Sequence, residues 1–195
     1  MTEKQERTVL LIKPDGVKRG LVGEIISRIE KRGLKLIALQ MIWAKPNQID
    51  DHYPKDEAWL KRIGEKTGKN YQTYGFDVKK ELGTNDPMAI GKMIRQWLID
   101  YMTSGPMVKM VVSGIHAVDM VRKIAGNTMP SVAEMGTIRG DFSVDDATAA
   151  NRGRRAIHNL VHASEIEKEA ENEILLWFAP EEIHDYKRAE EDIMF

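Results

Sequence analysis

Thr8-Val9-Leu10-Leu11-Ile12-Lys13-Pro14-Asp15-Gly16-Val17 joins a short apolar run to strong turn chemistry. The run reads as a buried strand, and Pro14-Asp15-Gly16 ends it in a turn. An amphipathic helix follows over about residues 22–32, with Ile25, Ile26 and Ile29 on one face and Gly33 as its stop. Residues 34–43 are apolar almost throughout and read as a second strand. Pro46 ends it, and a short helix leads to His52-Tyr53-Pro54. Further along, residues 88–102 form a helical pattern around Ile90, Ile94, Trp97, Leu98 and Tyr101, broken by Ser104-Gly105-Pro106. A third strand is expected at 107–112 and a helix at 117–125, followed by a long loop over 126–142. An acidic helical pattern runs from Glu165 to Ile174, and Ile174-Leu175-Leu176-Trp177-Phe178 reads as the fourth strand, with a helix start at Pro180. The order β-α-β-β-α-β fits an α+β, ferredoxin-like fold: an antiparallel four-stranded sheet with its two crossing helices on one face. Two stretches interrupt it. Residues 54–87, rich in Lys, Gly, Tyr and Asp, read as an exposed insertion, and 143–153 as a smaller one. The whole of 1–195 is taken as one domain.

Composition narrows the function classes. The chain has 195 residues, 42% hydrophobic and 30% charged, which suits one globular domain with a proper core. A net charge of −1 supplies no overall basic field, so nucleic acid is not an expected partner. The absence of cysteine excludes disulfides and thiolate metal sites. No apolar run approaches the roughly 20 residues needed to cross a bilayer, so no membrane partner is expected. The first seven residues lack the apolar core of a signal peptide, and a cytoplasmic protein is expected.

The densest chemistry lies in Asn159-Leu160-Val161-His162-Ala163-Ser164-Glu165. It packs a histidine, an amide, a hydroxyl and an acid into seven residues. Ala163 leaves room beside the ring, and Glu173 on the following helix is able to fold back toward it. An imidazole with one nitrogen held by a carboxylate and the other facing a cleft is a good nucleophile near neutral pH. His162 is therefore the expected nucleophile, and a phosphate the expected electrophile.

Three blocks in this order, Lys13-Pro-Asp-Gly-Val-Lys-Arg-Gly-Leu-Val-Gly23, Gly136-Thr-Ile-Arg-Gly-Asp-Phe142 and Asn159-Leu-Val-His-Ala-Ser164, resemble nucleoside diphosphate kinase. The resemblance covers about residues 8–53, 94–142 and 157–182. It implies transfer of the γ-phosphate of a nucleoside triphosphate to a nucleoside diphosphate by a ping-pong route through a phosphohistidine, with Mg2+. By the resemblance, Glu173 fixes the tautomer of His162, Ser164 is a supporting hydroxyl, and Tyr53 supports the active-site histidine. Lys13, Arg122, Arg139 and Thr128 would meet the phosphates, and Asn159 the sugar. Guanidinium groups suit phosphate because they give forked contacts. The acids from Glu165 to Glu173 are not spaced as a metal cage, so Mg2+ is expected on the nucleotide phosphates with no protein metal site. Family members assemble, so a homo-oligomer, hexamer or tetramer, is also implied.

The chain departs from the family at the base. Ile94 stands where the family has a stacking phenylalanine, with Leu98 one turn on; Trp97, Tyr71, Tyr74 or Phe76 are candidate substitutes. Ala163 and Glu165 replace a common glycine and aspartate. His52, His116, His158 and His184 have no setting like that of His162 and are expected to be solvated or packed in loops. Gly64-Glu-Lys-Thr-Gly68-Lys69-Asn70 is one residue short of a phosphate-loop spacing, lacks the final hydroxyl and follows no strand, so it reads as a solvated turn. The alternative to a kinase is a nucleotide- or nucleic-acid-binding regulatory module on the same fold, using Arg152-Gly-Arg-Arg155 and the lysines of 54–87. Such a module has no need of a carboxylate-oriented histidine.

Overall fold

The computed structural model describes residues 5–189 and 191–194. β1 (Gln5–Ile12) lies inside a sheet of order β2-β3-β1-β4 in which every pairing is antiparallel. Its neighbours are β3 (Met107–Ile115) and the three-residue β4 (Val161–Ala163); β2 (Lys35–Ile42) forms the far edge. Successive side chains of β1 point to opposite faces, so Val9 and Leu11 enter one core and Leu10 and Ile12 the other. Burial on both faces explains why Val9 to Ile12 is continuously apolar rather than alternating.

The helices are α1 (Pro14–Lys18), α2 (Val22–Lys31), α3 (Pro46–His52), α4 (Glu57–Thr73), α5 (Val78–Leu82), α6 (Pro87–Met102), α7 (Ala117–Ala125), α8 (Ile138–Phe142), α9 (Ala147–Arg152), α10 (Glu167–Trp177) and α11 (Glu191–Met194). The crossing helices α2 and α7 share one face, as expected, with Ile25, Ile29 and Val121 packed on Leu10 and Ile12. The other face is covered as well, by α3, α6 and α10 through Ile49, Met102, Ile174 and Trp177. The βαββαβ order and the antiparallel sheet agree with the sequence reading. Among the described residues no helix is long and apolar enough to cross a membrane.

Several expectations are corrected. Residues 174–178 are not the fourth strand: they finish α10, in which Ala170, Glu173, Ile174 and Trp177 are buried at helical spacing while Leu175 is exposed. The fourth strand is β4, which carries His162. Residues 54–87 are not an irregular exposed segment. They hold α3's exit, the 17-residue α4 and α5, with Asp56 capping α4 by accepting from the Trp59 N–H at 2.8 Å. The solvated turn expected at Gly64 to Asn70 lies inside α4. The buried face of α4 is Leu60, Gly64, Thr67 and Tyr71, and Tyr71 closes a small core with Leu82 and Ile90. Residues 143–153 contain α9, capped by Asp146. The long loop over 126–142 ends in α8, which carries Arg139 and is capped by Thr137.

Candidate active site

The site is built where β1 runs out. The Lys13 N–H donates to the Leu160 carbonyl at 2.8 Å, and the Leu160 N–H donates to the Asp15 carboxylate at 3.1 Å. Leu160 is fully buried at φ 68°, a left-handed conformation that costs a branched residue energy and persists only where its surroundings fix it. The two bonds from the Lys13–Asp15 turn do that. The kink they hold separates Asn159 from β4, so the Asn159 amide accepts from the Lys13 ammonium at 2.7 Å and donates to the Thr128 carbonyl at 2.9 Å.

His162 follows on β4, opposite Leu11. Its Nε2 lies 2.7 Å from Oε1 of Glu173, and Oε2 of Glu173 accepts from the Ser164 hydroxyl at 2.6 Å. Ser164 is fully buried and also accepts from the Val9 N–H. Ser164 thus supports the histidine through Glu173 rather than by touching the ring. Burial raises the Glu173 pKa, while His52 and the Ser164 hydroxyl hold it down. Burial, with the charges of Lys13 and Arg139, lowers the His162 pKa to about 3. The ring is therefore neutral near pH 7, and the contact with Glu173 holds its proton on Nε2. The lone pair is left on Nδ1, which has no hydrogen-bond partner among the described residues.

One cleft of about 500 Å³ collects the expected residues. Lys13, Arg122, Thr128, Arg139, Asn159 and His162 line it, as do Tyr53, Ile94 and Leu98. Ser164 and Glu173 stand behind His162 and do not line it. Lys13 is buried, and its pKa falls to about 7 through that burial and the nearby Arg139 charge, with Asp15 opposing. Arg139 is mostly occupied. Its Nε and both terminal nitrogens donate to the carbonyls of Asn159, Gly126 and Val161, at 3.1, 2.7 and 2.7 Å. One N–H remains on each terminal nitrogen. Arg122 is the more exposed of the two: its side chain is 42% exposed, with one long ion pair to Glu165 at 3.9 Å.

His52 corrects the sequence reading. Its side chain is buried, with the ring edge-on to that of His162 at 4.5 Å and Nδ1 3.4 Å from Glu173. The Trp177 indole N–H reaches the same nitrogen at 3.3 Å. Burial and the neighbouring His162 lower its pKa to about 3. The one available signal was its place beside Tyr53, and sequence distance from His162 hid it. Among the described residues, His52, His162 and Glu173 are the one group of potential metal ligands, with ligand atoms within 4.8 Å of one another. A nitrogen-rich set already joined by its own hydrogen bonds does not suit Mg2+, which prefers oxygen and water. His158 stacks on Tyr101, a loop-packing role as expected. The aromatic substitutes proposed for the base are elsewhere: Tyr71 and Phe76 pack together, Trp97 joins the cores, and Tyr74 is exposed.

The fold and this cationic cleft suit a phosphotransferase, and comparison with known proteins supplies the family. The family model for nucleoside diphosphate kinase matches residues 6–60 and 89–183. The nucleoside diphosphate kinase of Pyrobaculum aerophilum is 51% identical over 178 residues, covering 91% of this chain and 97% of that protein. That of Pyrococcus furiosus is 41% identical over 184 residues, covering 94% and 89%. Among solved structures, an NDP kinase from Pyrobaculum aerophilum superposes with a TM-score of 0.90 at 49% identity, over 93% of this chain and all of that one. A transition-state mimic of nucleoside-diphosphate kinase from Borrelia burgdorferi, with bound vanadate and ADP, superposes with a TM-score of 0.76 at 32% identity, over 96% and 95%. The chain belongs to the nucleoside diphosphate kinase family.

Proposed function

We propose that the chain transfers the γ-phosphate of a nucleoside triphosphate to a nucleoside diphosphate in two in-line displacements at Nδ1 of His162. In the first, the Nδ1 lone pair forms a bond to the γ-phosphorus, the bond to the bridging oxygen breaks, and the diphosphate leaves with that electron pair. In the second, a terminal oxygen of the incoming diphosphate attacks the same phosphorus, and the P–N bond returns its electrons to the ring. One covalent carrier lets donor and acceptor use the cleft in turn. The observation that carries this reading is the 2.7 Å contact between Nε2 of His162 and Glu173, which commits one ring nitrogen and leaves the other nucleophilic.

The remaining roles follow from position. Arg122, the two free N–H groups of Arg139 and the Thr128 hydroxyl would meet the phosphates, and Lys13 and Asn159 the sugar and the phosphates beside it. Tyr53 packs edge-on against His52 at 4.9 Å and so bounds the nucleophile's pocket. Mg2+ would enter on the nucleotide phosphates, since the cleft lining offers no carboxylate cage; it would neutralise charge on the transferred group. A homo-oligomer is supported by the exposed apolar row Leu39, Met41 and Trp43 along edge strand β2 and by exposed Val132 and Met135 in the loop before α8. A cytoplasmic location accords with the composition. The regulatory-module reading loses its basic patch, because Arg152 pairs with Glu81 and Arg155 with Asp145. Mixing the protein with ATP and Mg2+ and mapping the phosphorylated peptide tests the mechanism: phosphate on His162 is expected, and phosphate on another residue, or none, would refute it.

A further inference from the structure

α10 presents two groups to His52, the last residue of α3. Glu173 and Trp177 stand about one helical turn apart and are buried on the same side of α10. His52 reaches both of them, with its side chain 1% exposed. Among the described residues its Nδ1 has one hydrogen bond, from the Trp177 indole N–H at 3.3 Å. Oε1 of Glu173 lies 3.4 Å from the same nitrogen without forming a hydrogen bond to it. An indole N–H only donates, so the nitrogen that receives it carries a lone pair. The neutral His52 ring therefore bears its proton on Nε2, which is buried with no partner among the described residues. A buried N–H without a partner is costly. Moved to Nδ1, the same proton would find the Glu173 carboxylate. The indole N–H is what opposes that move.

We propose that Trp177 is a positioning residue: by donating to Nδ1 of His52 it keeps that ring from donating to Glu173, and so reserves Oε1 for His162. The proposal rests on the kinase reading above, in which Glu173 holds the Nε2 proton of His162 while Nδ1 attacks phosphorus. The two histidine rings meet edge-on at 4.5 Å, and both reach the same carboxylate oxygen. A second donor there would draw charge from the carboxylate. Glu173 would then hold the His162 proton less firmly, and would stabilise less of the positive charge that grows on the ring as the P–N bond forms.

Trp177→Phe removes the N–H and keeps an apolar ring. Phosphoenzyme formation from ATP, followed in single turnovers, is expected to slow about tenfold, the scale of one hydrogen bond to a charged group, with nucleotide Kd unchanged. In a His52→Leu background no ring is left to donate, and adding Trp177→Phe should not change the rate further. Nitrogen NMR of the resting protein, carrying isotope-labelled histidine, reads the tautomer directly. The proton of His52 is expected on Nε2 in the wild type and on Nδ1 in Trp177→Phe. A wild-type His52 protonated at Nδ1, a Trp177→Phe protein as fast as wild type, or an equal loss of rate in the His52→Leu background would overturn the proposal. A wild-type protein that takes up no phosphate would instead overturn the kinase mechanism, and the resting tautomer would still report on the Trp177 contact.

Discussion

At the scale of single residues, the site works by committing polar atoms in advance. Glu173 accepts one hydrogen bond from His162 and one from Ser164, and Arg139 spends three donors on the carbonyls of Asn159, Gly126 and Val161. Arg139 thus ties together the backbone around the cleft, whatever it meets there, which its sequence position alone does not reveal. Lys13 is the group poised to titrate. Its folded pKa of about 7 lies below the ordinary 10.5, so it loses charge as pH rises through neutrality. In the free enzyme, kcat/KM should therefore fall above about pH 7, and Lys13→Arg, which stays charged, should remove that limb. The sign for stability is the opposite. Between about pH 7 and 10.5 the unfolded chain binds more protons than the folded one, so the nucleotide-free protein should gain stability with rising pH. Melting curves of wild type and Lys13→Met across that window measure the gain, which the variant should lack. No acid limb from His162 is expected near pH 6.5, because its folded pKa is about 3.

At the scale of elements, legibility followed the size of the hydrophobic signal. β1, α2 and α7 were legible because their buried faces are made of Val, Leu and Ile. α4 was not, since two of its four buried positions are Gly64 and Thr67, which pack by smallness or by polarity rather than by apolar area. The 174–178 run shows the opposite failure. Five consecutive apolar residues fit a buried strand or a helix end equally well, and only the helical spacing of Ala170, Ile174 and Trp177 decides. β4 is too short, at three residues, for any period to show. The glycines of α4 permit a direct check. Gly64→Ala should cost about 2 kcal/mol, because the added carbon meets the Pro87 carbonyl and the helices must part. Gly68→Ala, with nothing within 4 Å of the new carbon, should stabilise by about 0.5 to 1 kcal/mol. Denaturant midpoints of the two variants should move in opposite directions.

At the scale of the whole molecule, a sheet covered on both faces still leaves apolar side chains exposed at its β2 edge and in the loop before α8. Leu39 and Trp43 are 52% and 66% exposed, and the proposed homo-oligomer would cover them. Sedimentation should show an assembly that Leu39→Lys with Met41→Glu reduces in size; a wild-type monomer would contradict that. Lys13, Arg139, Asn159 and His162 were legible from three short blocks that the fold brings to one cleft, and Arg122 joins them from α7, outside those blocks. His52 was not, because only contact in space brings it beside His162. The central claim is the covalent carrier. Incubation with γ-labelled ATP and Mg2+, without acceptor, followed by a chase with GDP, tests it most directly. Acid-labile, base-stable label on the protein that moves to GDP, and is absent from His162→Ala, is the predicted result. Well-folded wild-type protein that takes up no label, or label that stays in place when GDP is added, would contradict it.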